Sequence, residues 1–163
     1  MNIPLALETA TAETLRNYAT LVPGVVIRTW QRLQNDGTID KDGSREFPLV
    51  DIRCTPPMTD ENQVTLSATV EILCATMNED DRQHNVIQLL YQGVQECIDR
   101  LYAQFRNTTG DELTLWLATV ATETASAFRF GGLSFSEGLA PNDDAGRNMI
   151  GIALRVHFSR ADY

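Results

Sequence analysis

From Gln63 to Thr76 the chain reads QVTLSATVEILCAT, and Val64, Leu66, Ala68, Val70, Ile72 and Cys74 alternate with Thr65, Ser67, Thr69 and Glu71. A period of two places the apolar side chains on one face and the polar ones on the other, which is the pattern of a strand buried on one side. Strands usually run for about five or six residues. At about 3.4 Å per residue this one would span roughly 40 Å or more. Such a strand must bend at a bulge or project beyond its own core. A second stretch, RNMIGIALRVHFSR at 147–160, has the same character, with Ile150, Ile152, Leu154, Val156 and Phe158 facing one way.

Other segments fill in an order of elements. Residues 8–20, ETATAETLRNYAT, favour helix, with Thr11, Leu15 and Tyr18 or Ala19 on one face, and LVPG at 21–24 stops it. VVIRTWQRL at 25–33 and PLVDIRC at 48–54 read as strands, and the Asp/Gly-rich segment between them, NDGTIDKDGSREF, as a loop able to close a hairpin. TPPMTDEN at 55–62 reads as a turn, because paired prolines lack the ladder donor. The most regular helix covers 79–105. Val86, Leu90, Val94, Ile98 (or Cys97), Leu101 and Phe105 form its buried stripe, and Gln88, Gln92, Gln95, Glu96, Asp99 and Arg100 its wet face. NTTGDE breaks the chain at 107–112. Residues 113–130 fit either period, and the alternating Leu113, Leu115 and Leu117 favour strand at the start. GGLSFSEGLAPNDDAG at 131–146 reads as a long polar loop. Helices and strands do not alternate regularly. The expected fold is therefore α+β, a mixed or mainly antiparallel sheet packed against a long amphipathic helix and a short N-terminal helix.

A chain of 163 residues fits one domain, residues 1–163, large enough to bury a core without staples. Its 43% hydrophobic and 21% charged content places it among ordinary globular proteins. No apolar run approaches the roughly 18–20 residues that cross a bilayer, and the N-terminal residues lack the basic and apolar regions of a signal peptide. The net charge of −9 argues against gripping a phosphate backbone, which needs clustered Lys and Arg. Twelve arginines stand against the single Lys41, a bias that suits subunit contacts or a GC-rich genome equally. Cys54, Cys74 and Cys97 form no CxxC pair, and reduced, buried thiols in a cytosolic setting are expected.

Three stretches invite chemistry. Cys74, Asp80, Asp81 and His84 lie within eleven positions, with Asp80 and His84 one helical turn apart, as metal ligands can be. The same residues are explained by an Asn78 N-cap with Glu79, Asp80 and Asp81 in the first helical turn and His84 on the surface. TIDKDGSREFPL imitates a calcium loop at Asp40, Asp42 and Gly43, but Thr38 and Leu49 stand where acids are needed. GGLSFSEG places Ser136 where the nucleophile elbow needs glycine. Walker A, GxGxxG and HExxH are absent. With two histidines in the chain, neither catalysis nor a metal or other cofactor is expected.

Taken together, the helix ending at LVPG, the strand pair around NDGTIDKDG, the strand QVTLSATVEILCA, the helix DDRQHNVIQLLYQGVQECIDRLYAQF and the closing strand NMIGIALRVHFSRADY resemble the phage tail terminator proteins. The resemblance is one of element order over about residues 8–163, without a fixed motif. It implies a structural subunit of a hexameric ring that caps the tail tube and docks it to the head connector. The ring would sit at the head-proximal end of the virion tail after assembly in the host cytoplasm. Its partners would be further copies of itself, the tail tube protein and the connector, with DNA passing through unbound and no membrane contact. Under this reading the loops carrying Asp36, Asp40, Asp42 and Arg45, and Asp143, Asp144 and Arg147, are the candidate interface or lumen residues. The alternatives are another head–tail connector or neck protein, and a small cytosolic enzyme or ligand-binding domain.

Overall fold

The computed structural model describes residues 3–18, 24–29, 48–55, 58–59, 65–124, 128–135, 139–144 and 147–160. Helix α1 (Ile3–Arg16) leads to strands β1 (Val26–Thr29), β2 (Leu49–Cys54), β3 (Met58–Thr59) and β4 (Thr65–Met77). Helices α2 (Asn85–Asn107) and α3 (Asp111–Thr124) follow, and then β5 (Phe128–Phe135), β6 (Leu139–Asp144) and β7 (Arg147–Arg160). The fold is α+β with one mixed sheet, as the order of elements implies.

The long alternating strand finds a partner of its own length. β4 and β7 pair antiparallel without a register shift from Thr65↔Ser159 to Met77↔Arg147. The strands beside them are broken instead. β2 and β3 share one edge of β4, and β5 and β6 share the far edge of β7 with irregularities at Phe130/Gly132 and Leu139/Asn142. Length is thus accommodated by interrupting the flanking strands and not the central pair.

One sheet face carries the core. Ile52, Ile72 and Ile152 stand in register across β2, β4 and β7 and are at most 3% exposed. Cys54, Val70 and Leu154 form the next row, and Val50 and Cys74 a further one. α1 lies over β1 and β2, α2 lies over β4, β5 and β7, and α3 packs against α1 and α2. α2 buries Ile87, Leu90, Val94, Cys97, Ile98 and Leu101; of the stripe expected from the periodicity, Val86 and Phe105 are only half-buried, and Ile87 is enclosed instead. Each such side chain contributes about 1.5–3 kcal/mol on burial. An exposed pair such as Arg16–Glu13 contributes at most about 1 kcal/mol, so one isoleucine row outweighs it.

α1 is buried nearly all round, including Glu8, Thr9, Thr11 and Thr14. Thr11 and Thr14 donate their hydroxyls to the carbonyls of Leu7 and Ala10, both at 2.8 Å, which makes polar residues tolerable there. Glu8 accepts the Cys54 amide at 3.0 Å and ties the helix to the end of β2. Arg16 donates to the Ile27 carbonyl at 3.1 Å and ties the other end to β1.

Several expectations of local structure are corrected, including the turn at 55–62, where Met58–Thr59 form β3. β1 and β2 pair parallel, Val26↔Leu49 to Thr29↔Ile52, and not as the two arms of a hairpin, while the loop expected between them lies outside the described residues. The second helix begins at Asn85, not near 79. Residues 111–124 form α3, because Leu113 and Trp116, three apart, share the buried face, so the Leu113/Leu115/Leu117 alternation misleads. The loop expected at 131–146 is mostly β5 and β6, and Pro141 falls at a break in the β6–β7 register, where a strand tolerates proline.

The α2–α3 junction depends on Gly110. Its φ is +146°, and an added Cβ would lie 2.0 Å from the Gln104 side chain. Gln104 is not free to withdraw, since its Oε1 accepts the Leu113 amide at 2.9 Å and its Nε2 donates to Glu112. Gly110→Ala is expected to destabilise by about 2–3 kcal/mol through backbone strain plus the lost cap of α3. Urea unfolding checks this, and a loss below about 0.5 kcal/mol would show that the junction re-forms around the methyl group.

Candidate interface on the open face of the sheet

The Cys74–His84 cluster resolves into a structural clamp. Residues 78–80 turn, and Asp81 lies buried at 5% exposure ahead of the helix. Its Oδ1 accepts the Val86 amide and its Oδ2 the Ile87 amide, both at 3.0 Å, and Oδ2 also accepts the Thr76 hydroxyl at 2.9 Å. From β7, Asn148 donates to Thr76 Oγ1 at 3.2 Å and to the Asp81 carbonyl at 3.1 Å. Burial alone would raise the Asp81 pKa, but the donated hydrogen bonds, with nearby His84, outweigh it and hold the carboxyl below its ordinary value. The helix cap is therefore Asp81 reaching forward, while His84 occupies the N-cap position with left-handed φ 61° and no side-chain cap bond.

Metal ligation is not what this arrangement serves. Cys74 is fully buried on the helix side of β4, whereas Asp80 and His84 are exposed. Among the described residues no group of three or more His, Cys, Asp or Glu is placed to hold a metal ion. Burial pushes the Cys74 thiol up to about 12, and burial with Glu8 does the same for Cys54 and, with Glu112, for Cys97. At neutral pH these are buried free thiols without thiolate character.

The opposite face of the sheet has a different chemistry. Strand alternation puts Arg28, Asp51, Arg53, Ser67, Thr69, Glu71, Leu73, Arg155 and His157 there, and no described helix covers them. Arg53 and Arg155 are exposed and the others half-buried. Opposite charges face each other across neighbouring strands, Arg28 against Asp51 and Arg53 against Glu71, an arrangement that favours this pairing. Arg155 differs, since it stands opposite Thr69 and Ser134. Gly151 and Ala153, beside Leu73 and Glu71, keep the middle of this face low.

Of the candidate residues taken from the sequence, Asp36, Asp40, Asp42 and Arg45 lie outside the described residues. Asp143 and Asp144 belong to β6, in register with Asn148 and Arg147 of β7, so these three site residues are strand residues and not parts of a long loop. Arg147 lies at the far end of the open face, opposite Met77. Sequence reasoning passed over Arg155 and Leu89. The first was legible as the polar partner in the β7 alternation, the second as a leucine on the wet side of the α2 stripe.

No protein-family model matches the sequence, and no curated protein matches it. Among the described residues no helix is long and apolar enough to cross a membrane.

Proposed function

We propose that this chain is a ring-forming structural subunit of a phage tail, a tail terminator that closes the tail tube and docks it to the head connector. The observation that carries this reading is the one-sided sheet. A β4–β7 ladder thirteen pairs long is covered by helices on one face and presents polar and charged side chains on the other. A face of this kind suits contact with other subunits, and the element order resembles that of the terminator proteins. The net charge of −9 suits a ring that lets DNA pass without holding it, since like charges repel. The subunit would work by shape and contact, with no catalytic step and no cofactor.

The test is the native mass of the purified protein together with negative-stain images, alone and after addition of tail tubes. Hexameric rings that seat on tube ends are expected. Protein that leaves tube ends bare but binds an isolated head connector would overturn the terminator assignment in favour of a neck protein.

A further inference from the structure

One stripe on the outer surface of α2 stands apart from the rest of the surface. Asn85, Leu89, Gln92, Glu96 and Asp99 recur at intervals of four and three, which aligns them along one exposed line of the helix. Leu89 is 60% exposed, the one exposed large hydrophobic residue among those described. Around it, residues 85–95 contain no charge at all, in a chain whose net charge is −9. Charge depletion around an apolar anchor is the composition of an interface centre. The stripe then ends in two acids, Glu96 and Asp99, neither of which has an ion pair or side-chain hydrogen bond among the described residues. Burial raises the Asp99 pKa and the adjacent Glu96 charge raises it further, as expected where two carboxylates share a stretch of surface without a cation. Arg100, the nearest base, is already engaged, with its Nε 3.0 Å from Glu112 and its guanidinium 5.9 Å from the centre of the Tyr18 ring.

The open sheet face offers the complement. Arg155 is exposed, has no acid directly across from it and makes no ion pair among the described residues. Four residues away along β7, Gly151 lies beside Leu73, with Ala153 between. The separation from Gly151 to Arg155 is about 13 Å at strand rise. On α2 the separation from Leu89 is about 10 Å to Glu96 and about 15 Å to Asp99 at helical rise. The two spacings match, apolar point to apolar point and acid pair to arginine.

We propose that the α2 stripe of one copy docks on the open sheet face of the next. Leu89 seats against Leu73, the half-buried leucine of that face beside the buried Gly151 and Ala153, and Glu96 and Asp99 pair with Arg155. The two surfaces differ, so the contact is head-to-tail, the type that closes into a ring when the rotation allows. It also gives the sheet a helix on its second face. The inference rests on the reading of the chain as a self-associating ring subunit and names the surfaces that would join.

Sedimentation of Leu89→Asp and Arg155→Glu tests it. Both sites are exposed, so each variant should melt as the wild type does while its association weakens by at least tenfold. The decisive experiment mixes them. Leu89→Asp keeps an intact sheet face and Arg155→Glu an intact helix stripe, so together they should form dimers and nothing larger. The double variant Glu96→Arg, Arg155→Glu should regain association through the reversed pair. Variants that assemble like the wild type, or a mixture that stays monomeric, would overturn the contact while leaving a wild-type ring unexplained but standing. Wild-type protein that remains monomeric would also overturn it, and binding of that monomer to tube ends would still support the terminator reading.

Discussion

Trp116→Ala is expected to remove about 3–5 kcal/mol of folding stability, a large share of the roughly 5–15 kcal/mol that holds a typical domain. Trp116 is fully buried, the largest of the side chains so enclosed among the described residues, and belongs to the core cluster that joins α1, α2, α3 and the sheet. Its loss leaves a cavity that the packed helices cannot collapse into completely, and cavity and transfer costs add. The indole also donates to Thr11 Oγ1 at 3.3 Å, so it satisfies the polar side of a helix that is otherwise enclosed. Trp116→Phe should therefore cost less than alanine but more than its change in area implies, because Thr11 loses a donor. Urea denaturation of the three proteins decides the matter. A Trp116→Ala variant within about 1 kcal/mol of wild type would mean that α3 is a loosely attached element.

Asp81→Ala should be the second most damaging change, costing about 2–4 kcal/mol at neutral pH, because three donors lose a charged acceptor and two of them are backbone amides at a helix start. Its pH dependence identifies the cause. The folded-state pKa of Asp81 lies below its ordinary value of 3.8, so the carboxylate contributes stability that is fully present above that value. The contribution is lost as the pH falls through the folded-state pKa. The stability difference between wild type and Asp81→Ala should be constant from about pH 5 upward and narrow below about pH 4. Glu112, held low first by the Gln104 amide and then by its own backbone amide and Arg100, against the effect of burial, falls in the same acid range and is common to both proteins. Comparing unfolding midpoints at pH 7 and pH 3 provides the check. A difference that persists unchanged in acid would assign the effect to packing around residue 81 and not to its charge.

Asp81 also shows where sequence reasoning stops. NEDD followed by an apolar stripe has the composition of a capped first turn, yet the helix starts four residues after Asp81, and the acid caps it from outside. Side-chain reach across a turn leaves no periodic mark. The β4 and β7 alternations and the α2 stripe were legible because each exposes one face and buries the other, and period alone decides such elements. α1 was seen but begun too late, at residue 8 and not Ile3, since a helix enclosed on nearly all sides has no polar face to outline it. α3 was obscured by leucines at 113, 115 and 117, which satisfy both periods over a short window. β5 and β6 read as loop in the sequence because edge strands accept Gly, Pro and Asp. The parallel pairing of β1 and β2 is a tertiary choice that neither strand encodes locally. The candidate interface was half visible: its acids and arginines could be counted and Leu89 stood on the wet side of the α2 stripe, but only the strand register places Arg155 opposite Thr69 and Ser134.

The β4–β7 ladder has a temporal consequence. Its two strands are joined by 69 intervening residues from Asn78 to Gly146, and every pair in it is distant in sequence. β7 leaves the ribosome after α1, β2, β4 and both later helices, yet it occupies the middle of the sheet. Until it arrives, β4 has a long unpaired edge, and the helices can collapse only on half a core. A nascent chain in this state is exposed to other nascent chains, which offer the same hydrogen bonds that β7 will supply. Non-local closure of this kind is slow. Yield from the cell should therefore depend less on the final stability of the subunit than on how crowded synthesis is while that edge waits.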